Sequence, residues 1–181
     1  MRGRAITFDP DPRTRPMKDR VREAVFNLLG KPTSSVLGID LFAGTGAMAF
    51  EILSRGAGSA ICVERHRPTA EIILESARTF NVESRLEVSM ADTFYWWRIC
   101  QRDAPLPSDR PWWVFCCPPY DLYEDEPEQL DGLLHEMWHL APAESWFVVE
   151  GDKRFEPKRL PEATWDFRRY SPAWIYLAQK P

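Results

Sequence analysis

The run VLGIDLF (residues 36–42), followed at once by AGTGAMAFEILSRGAG (43–58), does most to limit what this chain can become. So short an apolar run is no membrane span and suits a strand buried on both faces. The glycines behind it turn the chain tightly, and the apolar spacing after them is that of a helix. A buried strand feeding a helix in this way needs parallel neighbours, since the helix hides its apolar stripe only by lying on a sheet.

The neighbours follow in order. SAICVE (59–64), RLEVSM (85–90), PWWVFCC (111–117) and SWFVVEG (145–151) have the length and apolar content of buried strands. Between them RPTAEIILESARTF, TFYWWRICQ and EPEQLDGLLHEMWHLA carry helical spacing. TWDFRRYS and AWIYLAQ, around Pro172, form a terminal antiparallel hairpin. Upstream, RVREAVFNLLG places Val21, Ala24, Val25, Leu28 and Leu29 at amphipathic spacing, with Gly30 as the stop. The expected fold is therefore α/β and Rossmann-like: a mostly parallel seven-stranded sheet, helices on both faces, and an antiparallel hairpin at the end. Residues 1–30 are expected to be a basic arm and a helix packed on the core, and 31–181 a single domain.

Charge divides along the same line. Residues 1–31 carry net +4 and the remainder −8, for −4 overall. A basic arm on an acidic body can dock phosphates locally. The four cysteines (Cys62, Cys100, Cys116, Cys117) make no CxxC pair, and RGRAITFDP after Met1 has no apolar signal core. The expectation is a cytoplasmic monomer with reduced thiols and no membrane attachment.

The turn DLFAGTGAMA lies at the carboxyl end of the first strand, where open α/β sheets bind ligands. Gly44 and Gly46 let a ligand approach the backbone, and Glu64 ends the second strand where a carboxylate can grip ribose hydroxyls. Two cofactors fit that spacing, a dinucleotide such as NAD and S-adenosylmethionine. Asp40 favours the second, because an acid before the turn attracts an ammonium group and repels a pyrophosphate. Asp92 and Thr93 follow the third strand. There a carboxylate can accept from an adenine amino group, or simply cap the next helix.

VFCCPPY (114–120) closes the fourth strand. Its CPPY resembles the Asp/Asn/Ser-Pro-Pro-aromatic signature of amino-methylating enzymes. An exocyclic base amine is a poor nucleophile, its lone pair being delocalised into the ring. A side-chain oxygen and a proline carbonyl can accept its two hydrogens and localise that pair, while an aromatic ring stacks on the base. Pro118 would give the carbonyl, Pro119 would stiffen the loop and Tyr120 would form the platform. Cys117 is a weaker acceptor than an oxygen.

RTRPMKDRVREAVFNLL, IDLFAGTGAMAFEILSRGA, the VE of the second strand and VFCCPPY together resemble the RsmD-like 16S rRNA guanine-N2 methyltransferases, over most of the chain. The resemblance implies a class I methyltransferase fold, S-adenosylmethionine as donor, and a guanine N2 amine in the small ribosomal subunit as acceptor. It implies Asp40, Ala43, Gly44 and Gly46 along the cofactor, Glu64 at its ribose, and Asp92 with Thr93 at its adenine. Cys117, Pro118, Pro119 and Tyr120 would form the catalytic loop. Arg15, Lys18, Arg20 and Arg22 would face RNA, with Arg2 and Arg4 in a basic start resembling the family's RGR. Two positions depart from the family pattern: Met17 stands in place of threonine, and Cys117 in place of aspartate. Losing one charge-assisted acceptor would cost about 2–4 kcal/mol of transition-state stabilisation. The alternatives are a cofactor-binding relative with weakened or lost activity that acts in ribosome assembly, or a methyltransferase for a DNA base or protein amide.

HEMWH (135–139) matches a zinc-protease pattern, but Leu133, Leu134, Met137, Trp138 and Leu140 make the segment a sheet-covering helix, and no metal is expected. Trp96, Trp97, Trp112 and Trp113 are expected in the core rather than against bases.

Overall fold

The computed structural model describes residues 17–181. Its sheet has seven strands: β1 Leu37–Asp40, β2 Ser59–Val63, β3 Leu86–Ser89, β4 Trp112–Cys116, β5 Trp146–Gly151, β6 Asp166–Tyr170 and β7 Ala173–Gln179. They lie in the order β3-β2-β1-β4-β5-β7-β6. The first five are parallel, and β7 runs antiparallel to both β5 and β6. The order reverses between β1 and β4, which opens a crevice at the carboxyl ends of the central strands.

Helices α1 (Asp19–Leu29), α2 (Ala47–Arg55) and α3 (Arg67–Phe80) cover one face, with Val25, Ile52 and Ile73 against Phe115 and Val148. Helix α4 (Thr93–Arg102) covers the other, and a four-residue helix α5 (Leu122–Asp125) precedes α6 (Pro127–Leu140), which lies on that same face. Alternation along β4 serves both: Trp113 and Phe115 face the first layer, Trp112 and Val114 the second. All four tryptophans singled out in the sequence are buried.

Local chemistry sets the boundaries. Helix α1 ends at Gly30 (φ +80°), α2 is opened by Gly46 in the left-handed region, and α3 has Pro68 in its first turn and stops at left-handed Asn81. Two expectations about faces are corrected. On α1 Leu28 is 41% exposed and Phe26 is wholly buried, its ring 5.4 Å from Phe115. The buried stripe thus keeps the expected Val21, Val25 and Leu29 but takes Phe26 in place of Leu28, because the helix is turned toward the β4 aromatic. On α6 Leu140 is exposed, because Met137 and Trp138 are the residues of the last turn that face the sheet, Trp138 against Phe147, and Lys180 caps the carbonyls at the helix end. Helix α5 and a 3-10 turn at Pro157–Arg159 carry too few residues for periodicity to show.

Candidate active site

Side by side, the ends of five parallel strands deliver five side chains. In sheet order these are Asp92 after β3, Glu64 after β2, Asp40 in β1, Cys117 after β4 and Glu150 in β5. All five line one cleft of about 740 Å³, together with Ala43, Gly44, Thr93, Pro118, Pro119 and Tyr120. Four of the five are acids, and the sulfur of Cys117 interrupts the row.

Asp40 is 2% exposed, and its Oδ2 has no hydrogen-bond partner among the described residues. Burial raises its pKa to about 7; the Ala49 backbone N–H opposes the rise and the Glu64 charge adds to it. A buried carboxylate oxygen left unpartnered beside a glycine turn suits a cationic ligand group and rejects a pyrophosphate, which disfavours a dinucleotide. The turn itself is built by positive φ at Gly44 and Gly46, and a Cβ on Gly46 would press on Ile73 and Phe50 at 3.1 Å. Gly46 shapes the turn without lining the cleft, and its N–H donates to the Ala43 carbonyl.

Glu64 bridges two segments. Its Oε2 accepts the Gly44 N–H (2.9 Å) and its Oε1 the His66 N–H (2.7 Å), which ties the glycine turn to the loop after β2. Asp92 caps α4, with Oδ1 accepting from Phe94 N–H and Tyr95 N–H, and still borders the cleft. The hydroxyl of Thr93 donates to the Leu41 carbonyl, so it anchors the start of α4 to the end of β1.

The CPPY loop is closed by backbone bonds from Leu122 N–H to the Pro119 carbonyl and from Tyr123 N–H to the Tyr120 carbonyl; the Pro118 carbonyl is not used in these turns. Tyr120 donates its hydroxyl to Glu150 Oε1 at 2.7 Å. Burial first, then Glu150 and Asp40, drive the Cys117 thiol well above its usual range. Cys117 therefore stands in the site as a neutral thiol, and the carboxylates that oppose its ionisation are the buried Glu150 and Asp40, not the exposed Asp121 four residues on.

At the rim, Met17, Lys18 and Val21 bring the start of α1 to the cleft. Arg20 is exposed on α1, Arg22 pairs with Asp19 at 3.0 Å, and neither lines the cleft. Arg2, Arg4 and Arg15 lie outside the described residues. Sequence reasoning missed Glu150, His66 and Tyr170, all in the lining. Glu150 had a signal, for it ends an apolar strand as Asp40 and Glu64 do.

HEMWH proves to be part of the scaffold. His135 meets the Arg159 carbonyl through Nε2, and Glu136 accepts from Trp97 Nε1 and Gln101 Nε2, joining α6 to α4.

A mostly parallel seven-stranded sheet in which only β7 is reversed, with a glycine turn after β1 and a proline turn after β4, defines the class I methyltransferase fold. A hypothetical protein of Thermus thermophilus, TTHA0928, superimposes with a TM-score of 0.74 at 23% identity, over 98% of this chain and 94% of its own. An RNA methyltransferase from Salinibacter ruber, solved with S-adenosyl-L-homocysteine, gives 0.64 at 14% identity, over 92% of this chain and 94% of its own.

Sequence comparison narrows the class. The family described as conserved hypothetical protein 95 matches residues 1–171. Ribosomal RNA small subunit methyltransferase D of Escherichia coli K12 is 31% identical over 150 residues, 82% of this chain and 67% of its own. The chain belongs to this family, the RsmD-like group that its sequence blocks resemble.

Proposed function

We propose that this chain methylates the exocyclic N2 amine of a guanine in small-subunit ribosomal RNA, with S-adenosylmethionine as donor. The observation that carries the reading is the buried Asp40 carboxylate with its Oδ2 unpartnered at a glycine turn, in the same cleft as the CPPY loop. Family membership supports RNA as the substrate class.

When bound, the cofactor would supply an electrophilic methyl group on a sulfonium, whose departing thioether would leave with the sulfur's bonding electrons while the methylated amine lost one proton to solvent. Asp40 would attract the cofactor's cationic end, Ala43, Gly44 and Gly46 would shape the turn beneath it, Glu64 would meet its ribose, and Asp92 beside Thr93 its adenine. On the acceptor side the Pro118 carbonyl would take one amine hydrogen and Tyr120 would stack on the base. Pro119 keeps these groups fixed, so the work is proximity and orientation. Lys18 at the rim and exposed Arg20, with Arg22 and the arm residues Arg2, Arg4 and Arg15, would meet RNA phosphates. The chain is expected to act as a monomer, with its methyltransferase domain from residue 31 onward.

One observation favours a second reading, a cofactor-binding relative with lost transfer: the thiol standing where the family pattern has an acid. Incubation with labelled cofactor and unmethylated small subunits separates the two. N2-methylguanosine in the digested RNA supports transfer, and tight cofactor binding without label supports the relative.

A further inference from the structure

Glu150 is 9% exposed, in the strand next to the CPPY loop, with Cys116 of β4 opposite Val149 of β5. Its backbone carbonyl accepts the Tyr123 hydroxyl at 2.7 Å, which fixes the strand end. Its carboxylate accepts the Tyr120 hydroxyl at 2.7 Å, and it lines the cleft together with Tyr120 and Cys117. One buried acid thus ties the far end of the loop to β5. We propose, on the methyltransferase reading above, that Glu150 is a positioning residue for transfer. By taking the Tyr120 O–H it fixes the ring on which the base stacks, and it sets a carboxylate in the cleft that the Cys117 sulfur enters.

The carboxylate that the family pattern places at position 117 has its counterpart here on the neighbouring strand β5, in the same cleft as the thiol. Tyr120 gains a rigid orientation from the same anion, and rigidity is what a stacking platform contributes.

The test compares wild type, Glu150→Gln and Tyr120→Phe in the full chain. Steady-state transfer to unmethylated small subunits is measured, with cofactor affinity by calorimetry as the control for folding. Alkylation of Cys117 by iodoacetamide is followed against pH by mass spectrometry. Glu150→Gln is expected to lower kcat roughly 10- to 100-fold with cofactor affinity unchanged. It is also expected to move the alkylation profile of Cys117 to lower pH, because a neutral amide no longer opposes the thiolate. Tyr120→Phe should lower kcat by less and leave that profile in place. An active wild type with an equally active Glu150→Gln overturns the role, as does an unmoved alkylation profile. A wild type that transfers nothing overturns the function itself, and this role with it.

Discussion

Asp40 titrates near neutrality because burial disfavours its charge more than the Ala49 N–H favours it, with Glu64 nearby. A cationic ligand binds the ionised carboxylate, so affinity should weaken as pH falls through about 7 and the carboxyl takes up its proton. Calorimetry with S-adenosylmethionine should show Kd rising roughly fivefold to tenfold between pH 7.5 and 6. The flanking thiols Cys62, Cys116 and Cys117 stay protonated over that range and do not contribute. Asp40→Asn should bind weakly and without this pH dependence; a pH-independent wild type would remove Asp40 from the site. Position 117 gives a second prediction. With the Glu150 carboxylate already in the cleft and holding Tyr120, Cys117→Asp should change kcat by less than about tenfold. A hundredfold gain would show that the Glu150 carboxylate does nothing for the loop. Asp40 and Glu64 were legible as acids ending apolar strands beside the glycine turn, whereas Glu150 ends a strand distant in sequence from both motifs, and only the sheet brings it beside the CPPY loop.

Helix α1 links the core to the rim, since Val25 and Phe26 are wholly buried and its first turn carries Lys18 to the cleft. Phe26→Ala should cost about 3–5 kcal/mol in denaturant unfolding, because the β4 aromatic beneath it loses its partner. A loss below about 1 kcal/mol would mean that α1 is not seated on the sheet. Helix α6 gives the opposite expectation: with His135 on a carbonyl and His139 exposed, replacing both by alanine should leave methyl transfer within about twofold of wild type. Every strand and long helix could be read from spacing, because buried strands and two-faced helices differ in period. The face of α1 could not, since Leu28 and Phe26 are equally apolar and only the position of Phe115 decides between them.

The whole molecule sets a basic N-terminal stretch against an acidic body, +4 over residues 1–31 and −8 beyond. The acids are partly explained by the cleft, where a row of carboxylates favours a cationic cofactor while phosphates must be met elsewhere. Removing residues 1–16 should therefore weaken RNA binding and flatten its salt dependence, by about 0.7–0.9 in the logarithmic slope for each arginine that meets a phosphate. Cofactor affinity should be unchanged, and an unaltered salt slope would assign RNA contact to the body instead. The parallel character of the sheet followed from alternating strands and helices, but its strand order did not, and the meeting of Cys117 with Glu150 in one cleft depends on β4 and β5 lying side by side. Whether this chain transfers methyl to guanine N2 is decided by supplying labelled S-adenosylmethionine and unmethylated small ribosomal subunits to the wild-type chain and mapping the product. Label is expected in RNA as N2-methylguanosine, at a rate that Asp40→Asn and Glu150→Gln both reduce. Tight cofactor binding with no label in the RNA would contradict that expectation.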